Sequence, residues 1–141
     1  MKTSMGRIVA VAAVAIVAVA ISACAQQQTT SPKKISSVYF DFDKYDVRAD
    51  QQGTMKTNAS VLQSNANQKI VIEGNCDERG SSEYNIALGD RRAKSAKSYL
   101  VNLGISGDRI STISYGKEKP VCTQHNESCW QQNRRDDFKN K

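Results

Sequence analysis

Three polar residues in one stretch carry the chemistry. Asp77 stands in a loop flanked by Gly74 and Gly80, and Asn85 and Arg92 follow in a helical pattern. Asn85 and Arg92 are seven residues apart, close to two full turns. They therefore share a helix face, about 10 Å apart along the axis. Asp77, in the loop leading to the helix N-terminus, could fold back over that face. An arginine presents a planar two-donor fork to a carboxylate, and an aspartate accepts from an ammonium. An amino-acid head group carries both charges on one carbon, so this set fits a zwitterion and disfavours a lone acid or a lone amine. The same residues also permit an intrachain Asp77–Arg92 ion pair, which on a surface contributes only about 0–1 kcal/mol.

A second cluster is Cys122, His125 and Cys129, spaced C-x2-H-x3-C, with Cys76 as a conceivable fourth ligand. That set suits zinc. It equally suits a Cys122–Cys129 disulfide closing a short loop in an oxidising compartment, and the compartment favours the bridge. Cys76 is then a buried small residue, and Trp130 packs over the closed loop as core. His125 is the single histidine. A Cys–His pair can serve a hydrolase, but no orienting residue or oxyanion loop accompanies it. The expectation is a binding protein without metal or cofactor, a hydrolase being the weak alternative.

The compartment is read from the N-terminus. Lys2 and Arg7 precede an unbroken Ile/Val/Ala run over residues 8–20, shorter than the roughly 20 residues of a spanning helix. With small residues after it, this is a secretory leader over residues 1–23. Ile21-Ser22-Ala23-Cys24 resembles the bacterial lipobox, with Ile21 in place of the commoner Leu. That resemblance implies acylation of Cys24, anchorage in outer-membrane lipid, and, from Ala25 rather than Asp after the cysteine, outer-membrane sorting. Residues 24–37 are rich in Gln, Thr and Ser, with Pro32. They form a flexible tether reaching roughly 40 Å when extended. The protein holds 20 basic and 14 acidic side chains, a formal +6. Removing Lys2 and Arg7 leaves 18 against 14, or +4. That modest balance does not argue for nucleic acid, and it suits a polyanionic wall or membrane surface.

The remaining residues, 38–141, must position the site. Val38, Phe40 and Phe42 alternate on one face of a strand. Met55, Ala59 and Leu62 recur at helical spacing within residues 49–67. A second strand spans 69–73. A second helix over 83–103 places Ile86, Ala93, Ala96, Leu100 and Leu103 on one face, with Gly104 as its C-cap. Residues 109–115 form a third strand, and 122–132 are irregular or briefly helical. Residues 133–138 form a last, short edge strand held mainly by Phe138, its polar tail discouraging further pairing. The order βαβαββ makes an α/β (α+β) two-layer sandwich with helices on one face of a small mixed sheet.

The stretch EGNCDERGSSEYNIALGDRRAKSAKSYL over residues 73–100, with VYFDFDKY over 38–45, ISYGKEKP over 113–120 and Asn133-Arg134-Arg135, resembles the OmpA-like C-terminal domain family. The likeness covers nearly all of residues 38–135. It implies non-covalent binding of peptidoglycan through the D-configured centre of the meso-diaminopimelate side chain, Asp77 taking the ammonium and Arg92 the carboxylate. Asn85 lies in the same pocket, Phe42 and Asp43 form its wall, and Arg91 faces solvent or a neighbouring acid. It also implies an outer-membrane lipoprotein facing the periplasm and working with TolB and other Tol proteins in envelope integrity and cell division. Two departures stand out. Cys76 replaces the usual Thr or Ala before the loop aspartate, and the last strand is polar where the family is apolar. An envelope spacer that keeps this fold while Asp77 and Arg92 pair only with each other is the alternative outcome.

Overall fold

The computed structural model describes residues 34–141. The expected leader, Cys24 and all but the last residues of the expected tether lie outside them. Strand β1 (Val38–Tyr39) is followed by helix α1 (Gln52–Ser64), β2 (Ile70–Asn75), α2 (Ser82–Asn102), β3 (Ile110–Gly116), α3 (Glu127–Asn133) and β4 (Arg135–Asn140). Strands β2 and β3 run parallel in register, Ile70 beside Ile110 and Ile72 beside Thr112. A parallel pair requires a crossover, and α2 supplies it.

Helix α2 starts where its capping chemistry dictates. The Ser81 hydroxyl accepts the Tyr84 N–H at 3.1 Å, satisfying one of the free donors of the first turn. It ends at Gly104, whose φ of 96° is the left-handed conformation favoured just past a helix end. Between these points Leu88, Ala93, Ala96 and Leu100 are buried. Ala93, Ala96 and Leu100 share one core cluster with Met55, Ala59 and Leu62 of α1 and with Ile70, Ile72 and Ile110 of the sheet. Ile86, expected on that face, is 43% exposed, because the first turn of α2 lies beside the bend that ends β3, with Gly116 against its backbone.

Backbones meet directly where α2 crosses the sheet. A Cβ on Gly74 would lie 2.0 Å from the Gly89 carbonyl oxygen, and one on Gly89 would lie 2.3 Å from Ser114 Oγ. This contact fixes the depth of α2 on β2, and it sets Arg92, one turn after Gly89, at the C-terminal end of that strand. On the other side, Asn58 of α1 is buried and exchanges two hydrogen bonds with the Ser36 main chain, at 2.9 and 2.8 Å.

The expectation of an edge strand at the C-terminus is overturned. The sheet order is β1-β4-β2-β3, so β4 lies inside the sheet, antiparallel to β1 and to β2. Asp136 pairs with both neighbours, and Phe138, opposite Ile72, packs on the core. Pairing partners on both flanks hold this polar strand where its own side chains would not. Among the described residues no helix is long and apolar enough to cross a membrane.

Candidate functional site

The site lies past the C-terminal ends of β2 and β3, at the N-terminal end of α2. This is where open sheets with parallel strands place ligands. The Cys76 N–H donates to the Gly116 carbonyl at 2.8 Å, tying the loop after β2 to the end of β3. The Cys76 thiol is buried against the Asn85 carbonyl at 3.3 Å, and burial pushes its pKa up to about 11. The Asn85 side-chain amide donates back to the loop, to the Arg79 and Ser81 carbonyls at 2.8 and 3.0 Å.

Arg92 is completely buried. It donates to the main-chain carbonyls of Lys44 (2.8 Å), Asn75 (3.0 Å) and Asp41 (3.0 Å), joining the segment after β1 to the end of β2. Burial lowers its pKa, but a guanidinium does not lose its proton in proteins. It makes no ion pair with Asp77. Asp77 turns instead to two other arginines: Arg79 donates from its main chain (3.0 Å), Nε (3.1 Å) and Nη2 (2.7 Å), and Arg134 from Nη1 (3.3 Å). Burial works to raise the Asp77 pKa, and these hydrogen bonds outweigh it, holding the carboxyl below its ordinary range.

Arg79 is sandwiched between the Phe42 ring, its centroid 3.9 Å from the guanidinium carbon, and the Trp130 ring at 4.2 Å. Hydrogen bonding to Asp77 raises its pKa further. Trp130 therefore stacks on the site rather than over the loop closed by Cys122. Its indole N–H donates to Glu78 at 2.6 Å, and His125 Nδ1 lies 2.7 Å from the same carboxylate. Cys122 and Cys129 are joined in a disulfide, so a zinc site built on both thiols gives way. Asp43 adopts a φ of 56°, a left-handed conformation that aspartate tolerates, and accepts the Tyr84 hydroxyl.

Phe42, Asp43, Asp77, Arg79, Asn85 and Arg92 line a single cavity of about 260 Å³. Its charged groups are two carboxylates and two guanidiniums, a wall of net zero charge. Arg91 faces solvent, over the Tyr45 ring at 5.6 Å.

The family model named OmpA matches residues 39–134. The chain belongs to the OmpA family. The peptidoglycan-associated lipoprotein of Rhizobium meliloti is 52% identical over 98 residues, covering 70% of this chain and 56% of the relative. That of Haemophilus influenzae is 43% identical over 103 residues, covering 73% and 67%. The crystal structure of the peptidoglycan-associated lipoprotein from Burkholderia pseudomallei superposes with a TM-score of 0.75 at 43% identity, over 82% of this chain and 98% of that one. The match thus spans little more than half the length of the Rhizobium relative.

In this OmpA-family domain the sequence reading missed Arg79, Arg134 and Trp130. Arg79 follows Asp77 by two residues, a spacing that permits a local side-chain pair, so a signal was present. Arg134 and Trp130 reach the loop from more than 50 residues away, and only the sheet topology brings them there.

Proposed function

We propose that this protein is an outer-membrane lipoprotein that binds peptidoglycan non-covalently. It recognises the zwitterionic D-configured centre of meso-diaminopimelate and links membrane to wall together with TolB and other Tol proteins. The observation that carries the reading is the buried Arg92 at the cavity end. Three of its five N–H bonds are fixed on main-chain carbonyls, leaving two for a ligand carboxylate. Asp77 and Asp43 stand on the same cavity wall as acceptors for the ammonium. The names of the relatives add support. Family likeness also supports a periplasmic domain, tethered through residues 24–37 to an acylated Cys24.

Binding is favoured over hydrolysis on positive grounds. Cys122 and Cys129 are consumed in a bridge, the Cys76 thiol is buried with its pKa pushed to about 11, and His125 is engaged by Glu78. The spacer alternative required Asp77 and Arg92 to close on each other, and they do not.

The test is co-sedimentation of the full-length protein with diaminopimelate-type sacculi, in competition with two soluble muropeptides. A muropeptide with the free diaminopimelate carboxylate should displace the protein, and one amidated at that carboxylate should not. Equal displacement by both would remove Arg92 from the reading.

A further inference from the structure

Asp77 accepts four hydrogen bonds, three from Arg79 and one from Arg134. A carboxylate has about four acceptor sites, so it has no vacancy for an ammonium. One donor must leave. Arg134 is 5% exposed and is also held by the Phe40 carbonyl at 3.0 Å and by Glu127 at 2.5 Å. Arg79 is 31% exposed at the cavity wall; beyond Asp77 it is held by the two rings and by Glu127 at 3.8 Å, and as the more exposed of the two it is the donor that yields.

We propose that Arg79 sets the affinity threshold of the site: it is a resident cation that a ligand's ammonium must displace from Asp77, latched by Trp130 on the disulfide-closed α3. The inference rests on the zwitterion reading above. Exchanging one cation for another on the same carboxylate returns little net free energy. The gain must come from a second contact, and the ligand carboxylate on Arg92 is the one available. A ligand with an ammonium alone is outcompeted by Arg79, whereas one with both charges is accepted. The displacement cost falls on both ligands alike, so it raises the threshold for binding while the contact with Arg92 sets the difference between them.

The latch has its own supports. Each aromatic face on Arg79 multiplies the closed-to-open ratio by roughly two- to thirty-fold. Trp130 belongs to a seven-residue helix, too short to persist alone in water. The Cys122–Cys129 bridge holds that helix. Asn126 caps it by accepting the Cys129 N–H at 3.0 Å, and Asn133 accepts the Val121 and Cys122 N–H groups at 2.8 and 3.1 Å. Trp130 and the bridge are therefore positioning elements that act through Arg79.

The experiment titrates the full-length protein in detergent with two soluble muropeptides that differ only at the third stem residue, diaminopimelate or lysine. Thermal melts of every variant are recorded alongside. Wild type should prefer the diaminopimelate form. Arg79→Gln and Arg79→Ala should bind both forms about tenfold more tightly than wild type does, with the ratio between them unchanged. Trp130→Ala and the pair Cys122→Ser/Cys129→Ser should tighten both by less, and Trp130→Phe, which keeps a ring on Arg79, should return the wild-type affinities. In the Arg79→Gln background, Trp130→Ala should have no further effect, since the two act as one unit. Affinities for the two muropeptides that are unchanged or weaker in both Arg79 variants overturn the inference while the zwitterion site stands. Additive effects of Trp130 and Arg79 overturn the latch. Wild type that binds neither muropeptide overturns the proposed function and this inference with it.

Discussion

Replacing Asp136 with valine should stabilise the domain, and most strongly at high pH. Asp136 pairs with Val38 on one side and Gly74 on the other and is fully buried. Both of its carboxyl oxygens lack a hydrogen-bond partner among the described residues. Burial pushes its pKa well above 3.8, against the pull of Arg92. A buried polar group without partners costs about 1–3 kcal/mol, and a β-branched residue suits a strand paired on both sides. Asp136→Val should therefore gain about 2 kcal/mol, or about 10 °C in melting midpoint for a domain of this size. The folded state binds the Asp136 proton more tightly than the unfolded state. Its contribution to stability is thus present in full below about pH 3.8 and is lost as pH rises through the higher folded-state value. Urea titrations of wild type, D136V and D136N from about pH 4 to 9 separate the terms. D136N keeps unpaired polar atoms, so it should remove the pH dependence without most of the gain. Wild-type stability that tracks D136N at every pH, or a D136V midpoint at or below wild type at about pH 8, would refute the reasoning.

Arg92→Ala should cost at least about 3 kcal/mol as well as ligand binding, because three main-chain carbonyls lose their donor. A urea midpoint equal to wild type would contradict this. Gly74→Ala should destabilise by about 3 kcal/mol or more, since its methyl would sit 2.0 Å from the Gly89 carbonyl oxygen; a thermal melt within about 2 °C of wild type would show that α2 can lift off the sheet. With its pKa near 11, Cys76 should be roughly one part in a thousand thiolate at pH 8. Peptide mapping after alkylation should find it unmodified until denaturant is added.

Local periodicity made much of this fold legible. The short apolar run Ile70-Val71-Ile72 and the helical spacing of Met55, Ala59 and Leu62 placed β2 and α1, and the core face of α2 from Ala93 to Leu100 was equally clear. Strand β4 was misplaced for a physical reason. Asp136, Asp137 and Lys139 read as solvated, and nothing local reveals that β1 and β2 close on it from both sides. Ile86 kept the helical phase of the core but lies beyond the sheet that would cover it. In the site, the family pattern brought Phe42, Asp43, Asp77, Asn85 and Arg92 to one cavity. The partner of each charge was not legible. Arg92 answers to main-chain carbonyls and Asp77 to Arg79 and Arg134, and these choices depend on where three separate segments end.

The position of β4 also sets when the domain can form. Strand β2 meets β3 through a local crossover, but β1 finds its only neighbour among the described residues in the last strand made. Until that strand emerges, Val38 and Phe40 have no sheet to join, and one flank of β2 stays open. Contacts between the two ends of a polypeptide are slow to form because the whole loop must close first. The domain is thereby kept from premature closure while it is still being made.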